Sequence, residues 1–299
     1  LLDVHCGLPG HPYPIYTDSV EIKQTGQIKL NQPASFAETA IILMSIKAII
    51  YKSLFAVYDF CVRLVLFRRT DLTICSGPFA GMRYGATAVG SSLTPKLFGT
   101  YEMELAQIVD QLPVFDFTID VGAAEGWYAV GLLYRKKTRK VVAFELDEKG
   151  REACHANAVR NGVTGQIDIR GQCRAPEFQA LLQSLPDKKD GILIVSDCEG
   201  FEDELLAGET IKLCRRAYFL VETHDSIVPG VHTRLLERLG LDHVVTQIAR
   251  AKRTRDEIKP ASKAVRWLLK LPFLYRLFMA ERRGGGNAWI YAAPKTNAR

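Results

Sequence analysis

Phe117-Thr-Ile-Asp-Val-Gly-Ala-Ala-Glu-Gly-Trp-Tyr-Ala-Val-Gly-Leu-Leu133 holds a strand, a turn and the start of a helix in seventeen residues. Phe117, Ile119 and Val121 alternate as strand residues do, and helical spacing resumes from Tyr128 to Leu133. Between them Gly122 and Gly126 free the backbone to turn sharply and to approach a ligand closely. A buried strand that passes through glycines straight into a helix is the nucleotide-cradling unit of an α/β sheet.

The turn itself says which nucleotide. A dinucleotide site wants Gly-x-Gly-x-x-Gly with helix amides facing a pyrophosphate. Here the spacing is Gly122-x-x-x-Gly126, and Ala124 stands where the middle glycine belongs. Asp120 and Glu125 flank the turn; carboxylates there repel a pyrophosphate and suit a ligand bearing an ammonium and a sulfonium. The turn therefore favours S-adenosyl-L-methionine over NAD. Nineteen residues beyond Gly126, the strand Lys140-Val-Val-Ala-Phe-Glu145 ends in an acid, at the place where doubly wound folds hold ribose hydroxyls. Asp120, Gly122, Ala123, Gly126 and Glu145 are the expected cofactor contacts. Trp127, with Tyr128, either lines the adenosine pocket and offers a π face to the sulfonium or packs in the core. A Rossmann-like sheet whose turn binds nothing is the alternative.

Four stretches resemble a known family: Asp120-Val-Gly-Ala-Ala-Glu-Gly126, Ser196-Asp-Cys-Glu-Gly-Phe-Glu202, Gly77-Pro-Phe-Ala-Gly-Met-Arg-Tyr84 and Gly99-Thr-Tyr-Glu102 look like the FkbM-type class I methyltransferases. The resemblance spans about residues 75 to 225 and the closing strand near Trp289; the commoner family form has Asn where this chain has Ala124. It implies an α/β, Rossmann-like fold with a seven-stranded, mostly parallel sheet whose last strand is antiparallel. It also implies methylation of hydroxyl oxygens on sugars and related small molecules, and a Glu102 that faces the cationic end of the cofactor.

The rest of the chain carries the same alternation. Strands are predicted at 116–121, 140–145, 166–170, 191–197 and 216–223, with helices at 127–136, 148–161, 176–184 and 202–213 between them. This rhythm builds a parallel sheet with helices on both faces. A helix near 231–239, a strand near 242–248 and a final strand at 287–293 follow. Ahead of the sheet, Leu72 to Pro95 reads as a β-hairpin. Thr100 is expected to cap a helix running to about Leu112, and the helix dipole alone would explain Glu102 and Glu104 in its first turn. Asn157 reads as a surface residue.

Methyl transfer from a sulfonium is an in-line displacement, so the protein aligns donor and acceptor and, for a hydroxyl, removes a proton. Ile192 to Gly200 is a buried strand ending in Asp197 and Glu199, which either border the transferring methyl and the cofactor or cap the helix beginning at Glu202. The next strand ends at His224, a candidate general base oriented by Asp225 or Glu199. A divalent cation shared by Asp197, Glu199 and His224 is the lesser reading, and no metal is counted among the expected cofactors.

Bulk properties bound these readings. A chain of 299 residues, 47% hydrophobic and 24% charged, can bury a full core as an ordinary soluble globule. Seven cysteines without a Cys-x-x-Cys argue against a disulfide framework or a structural zinc site, and for a cytoplasmic protein. From Thr246 onward thirteen Lys and Arg face three acids, a surplus of ten positive charges, while the remainder sums to minus four. Residues 1–43, with four prolines, are expected to be a poorly structured extension with the natural start at Met44. Residues 44–113 supply an apolar helix, the hairpin and a leading helix; 114–299 form the methyltransferase domain, with a basic cap inserted at 250–286. The apolar stretch Ile41–Phe67 is interrupted by four charges, so it packs in a core, contacts a second copy in a homodimer, or lies on the inner membrane face. Nucleic-acid methylation, suggested by Arg250 to Arg255, lacks the Asn-Pro-Pro-Tyr-type motif of base-flipping enzymes. A membrane-associated scaffold with a vestigial pocket is the non-enzymatic alternative to a small-molecule or glycan methyltransferase.

Overall fold

The structure is a computed structural model and describes residues 72–185, 191–251, 270, 281 and 287–295. These lie in the second of two units into which the chain divides, Leu66–Arg299. The expectations for residues 1–43, for the apolar helix and for nearly all of the 250–286 cap fall outside the described residues.

A short antiparallel pair opens the described chain: β1 (Leu72–Thr73) against β2 (Arg83–Tyr84). Two helices, α1 (Leu93–Phe98) and α2 (Ala106–Gln111), lead to the main sheet. Its strands and helices alternate as β3 (Phe115–Val121), α3 (Trp127–Tyr134), β4 (Thr138–Phe144), α4 (Glu148–Arg160), β5 (Ile167–Arg170), α5 (Ala175–Ser184) and β6 (Ile192–Ser196). After α6 (Glu202–Leu205) and α7 (Gly208–Leu213) come β7 (Tyr218–His224), α8 (Val231–Gly240), β8 (His243–Ala249) and β9 (Asn287–Pro294).

The sheet order is β5-β4-β3-β6-β7-β9-β8. The first five are parallel, and β9 runs antiparallel to both β7 and β8. This is the seven-stranded plan of the class I methyltransferases. Strands buried on both faces read as continuous apolar runs. In β6, Leu193 and Val195 join one hydrophobic cluster with Trp127, Tyr128 and Trp289, while Ile192 and Ile194 join another with Phe178, Leu235 and Ile290. The chain order reverses at β3, which pairs with β4 on one side and β6 on the other. Register sets Val121 beside both Phe144 and Ser196, so the carboxyl ends of these three strands form one edge. A reversal of this kind opens a crevice beyond the strand ends, where ligands bind.

Four local expectations are corrected. Part of the predicted hairpin is helix α1: Pro95 sits in its first turn, where a missing N–H costs nothing, and Gly99 ends it in the left-handed region at φ 75°. Thr100 is not the N-cap: a 3-10 turn at Met103–Leu105, preceded by Glu102, leads into α2, whose own N-cap is Leu105. The helix predicted at 202–213 is two, because Ala207 is extended between α6 and α7. Asn157 is buried, its Nδ2 donating to Glu125 O at 2.9 Å and its Oδ1 accepting from Gly85 N at 2.8 Å.

Candidate active site

The turn after β3 is pressed against the loop after β6. Gly122 has φ 87°, and a Cβ there would lie 1.8 Å from Asp197 O, so no side chain fits. The N–H groups of Gly122 and Ala123 both donate to Phe144 O, at 2.9 and 3.0 Å, which ties the turn to β4. Ala124 follows in the left-handed region at φ 47°, a conformation Asn adopts more readily than Ala. Its N–H donates to Glu145 Oε2 at 2.7 Å, and Asp147 N–H donates to Glu145 Oε1 at 2.7 Å. The acid at the end of β4 thus faces the glycine turn, as the spacing predicts. Burial pushes its carboxyl above the usual range despite those two donors.

Asp120 is buried at the end of β3. Burial pushes its carboxyl up to about 7, against an Ala129 N–H donor and with the charges of Glu145 and Glu102 adding to the rise. Its Oδ2 has no hydrogen-bond partner among the described residues.

Glu125 does something other than expected. It is fully buried and pairs with Lys96 of α1, while Tyr84 Oη–H and Val89 N–H donate to it at 2.7 and 2.9 Å. Its charge is neutralised inside the protein and is not offered to a ligand. Lys96 also lies over the Tyr101 ring, 4.6 Å from its centroid. Trp127 stands in the same aromatic group, edge-on to Phe79, Tyr101 and Tyr84 at 5.0, 5.4 and 5.9 Å, so it packs as core.

Glu102 is not a helix-dipole residue. It sits at φ 49°, buried, with Tyr128 Oη–H donating to its Oε2 and its own N–H donating to Glu281 Oε1 at 3.2 Å. Glu281, buried as well, belongs to the segment expected to cap the site.

Asp197, Glu199 and His224 converge at the ends of β6 and β7. His224 Nε2 lies 3.5 Å from Asp197 Oδ1 and 3.4 Å from Glu199 Oε2. The orienting carboxylate is Glu202, whose Oε1 lies 2.7 Å from His224 Nδ1. Of the two expected orienters, Glu199 lies on the Nε2 side, and Asp225 instead accepts from Gly230 N and His232 N at 3.0 and 3.1 Å, bracing the start of α8. Nor do Asp197 and Glu199 cap α6; Glu202 accepts from Cys198 N and Gly200 N and so holds the loop that presents them. Burial works to lower the His224 pKa, but the Glu202 hydrogen bond and the charges of Glu202, Glu222 and Glu199 outweigh it, and the net shift is upward.

Glu222, inside β7, is a residue sequence reasoning passed over. Oxygens of Glu102, Asp197 and Glu222 all lie within 4.8 Å of one another. Burial, then Glu222, Glu102 and Glu199, push the Asp197 carboxyl well above the usual range. A glutamate in an otherwise apolar buried strand was the available signal. Leu146 drew no notice in the sequence either: directly after Glu145 it leaves 55% of its surface exposed, an apolar surface at the end of β4.

The strand order, the glycine turn at the reversal point and the acid closing the neighbouring strand define a Rossmann-like α/β protein of class I methyltransferase architecture. No family model matches the chain, and no curated protein matches it. Among solved structures, an O-methyltransferase from Bacillus cereus in complex with SAH is 13% identical, covering 64% of this chain and 80% of that one at a TM-score of 0.43. The O-methyltransferase TomG from Streptomyces achromogenes, in complex with SAM, is 14% identical over 64% of this chain and 78% of that one, TM-score 0.42. A tRNA methyltransferase of B. subtilis is 10% identical over 64% and 65%, TM-score 0.41. The architecture is read from this chain's own strand order. Among the described residues no helix is long and apolar enough to cross a membrane.

Proposed function

We propose that this chain is an S-adenosyl-L-methionine-dependent methyltransferase of the FkbM type that methylates a hydroxyl oxygen of a sugar or related small molecule. The observation that carries the cofactor is Asp120: a buried carboxylate oxygen without a partner among the described residues, set beside the glycine turn, is what a ligand ammonium would satisfy. Gly122 and Gly126 let the backbone approach, Glu145 faces the ribose hydroxyls, Leu146 underlies the base, and Glu102 adds negative charge at the cationic end. When bound, the cofactor supplies an electrophilic methyl group on a sulfonium. Asp197, Glu199 and His224 receive the acceptor hydroxyl at the same edge, place its oxygen for in-line attack and relieve it of its proton. The five cysteines among the described residues are free thiols, which supports a reducing, cytoplasmic setting.

Calorimetric titration with S-adenosylhomocysteine tests this without knowledge of the acceptor. Micromolar binding by the wild type, lost in Glu145→Ala, is the expected outcome. A folded wild-type protein that takes up no ligand overturns the proposal.

A further inference from the structure

His224 Nε2 is one of the atoms of this edge that hydrogen bonding leaves unexplained. The side chain is 2% exposed and its Nδ1 is engaged by Glu202, yet among the described residues Nε2 makes no hydrogen bond. It points between Asp197 Oδ1 and Glu199 Oε2, at 3.5 and 3.4 Å. Asp197 Oδ1 is itself shut off from solvent and has no hydrogen-bond partner among the described residues. A charge-assisted bond from an imidazole to a carboxylate would close to about 2.7–2.9 Å. Separations near 3.4 Å match atoms that share an ion instead: ligands about 2.1 Å from one centre stand about 3 to 3.4 Å apart, depending on geometry.

We infer that Asp197, Glu199 and His224 bind a divalent transition-metal cation of the class that takes mixed carboxylate and imidazole ligands, for which Mn²⁺ serves as a paramagnetic probe, and that the ion receives the acceptor oxygen. One ligand atom from each residue lies within 4.8 Å of the other two. Glu202 completes the set from behind: with Nδ1–H donating to it, the lone pair of the imidazole is fixed at Nε2, facing the two acids. Glu199 leaves 67% of its side chain exposed and Asp197 28%, so the site is open on its outer side. Three protein ligands with open positions is the pattern of an ion that works on a substrate rather than one that holds a fold. There the ion would fix and polarise the hydroxyl oxygen so that its proton passes to solvent, and His224, with its lone pair on the ion, would position the ion in place of acting as the base. The site rests on this chain's own geometry; only the ion's role toward the acceptor rests on the methyltransferase reading.

The test is titration of the full chain with Mn²⁺, the free ion followed by electron paramagnetic resonance. One Mn²⁺ per chain is expected in the wild type. Glu199→Ala, at an exposed side chain whose loss leaves the core intact, weakens it by at least about tenfold, and Asp197→Asn does the same. Glu209→Ala, at an exposed carboxylate on α7, changes nothing. Absence of a stoichiometric site, or a site indifferent to Glu199 and Asp197, overturns the inference and leaves His224 to act as a bare base. Parallel titration with S-adenosylhomocysteine separates the two ideas. Ligand uptake by a protein without the Mn²⁺ site removes the ion alone, and a Mn²⁺ site in a protein that ignores the ligand removes only the methyltransferase.

Discussion

Asp120 keeps its proton up to about pH 7, whereas in the unfolded chain it ionises near its ordinary value of 3.8. The native state therefore holds a proton that the unfolded state gives up between those values, and stability falls as pH rises through that window. Every tenfold difference in proton affinity between the two states corresponds to about 1.4 kcal/mol, so above pH 7 the buried carboxylate costs several kcal/mol. Asp120→Asn keeps the Ala129 N–H bond and removes the charge; its gain in denaturation temperature is expected to be clearly larger at pH 8 than at pH 5. Equal gains at both values would show that the side chain does not titrate in this way. A ligand ammonium beside Asp120 reverses the effect by favouring the ionised form. Uptake of S-adenosylhomocysteine near pH 6.5 should then release a proton, seen as heats that differ between two buffers of unlike ionisation enthalpy. Identical heats would place the ammonium elsewhere. That Asp120, Glu145, Asp197, Glu199 and His224 gather at one edge of the sheet was legible in the sequence, because each ends or follows a buried strand. Glu202 was not, since an acid in a helix's first turn has a sufficient local explanation, and its 2.7 Å contact to His224 joins residues 22 apart.

At the scale of elements, α1 and the turn before α3 are joined by one buried charge pair. Lys96 and Glu125 are both enclosed, with the Tyr84 hydroxyl and Val89 N–H completing the carboxylate's shell. Removing one member of such a pair leaves an uncompensated buried charge and costs about 3–5 kcal/mol, while replacing both is far milder. Lys96→Met is accordingly expected to lower the urea midpoint severely, and adding Glu125→Gln to recover most of the loss. A double variant no more stable than Lys96→Met would mean that the lysine acts through packing on Tyr101 rather than through its charge. None of this showed in the sequence, where Leu72 to Pro95 offered Gly, Ser, Thr and Pro in the pattern of a hairpin and Glu125 looked like a ligand contact. Short elements take their form from what they pack against, and local propensity does not contain that information. The strands of the main sheet were legible to within about two residues because burial on both faces leaves long apolar runs bounded by glycines and charges.

For the whole molecule, the seven-stranded order gathers groups from distant parts of the chain at one edge: the turn after β3, the end of β4, the loop after β6 and the ends of β7 and β9. Alternation alone predicts parallel pairing, but it does not say which strand lies beside which; that follows from where the chain reverses, and here the reversal falls at β3. A ligand seated at the reversal point must quiet this edge and leave the opposite border of the sheet alone. Binding at a hundredfold excess over Kd adds about 2.7 kcal/mol to global stability, a gain shared by amides that exchange through full unfolding. Amides that exchange through local opening report the site instead. With S-adenosylhomocysteine, the strongest slowing of amide exchange is expected in Gly122–Gly126 and Glu145–Asp147, with a smaller effect at Asp197–Gly200, since Asp197 O lies against Gly122. In β8, the border strand, locally exchanging amides should keep their rates. Slowing centred on β8 and α8, with Gly122–Gly126 unchanged, would move the ligand away from the glycine turn and take with it the roles given to Asp120 and Glu145.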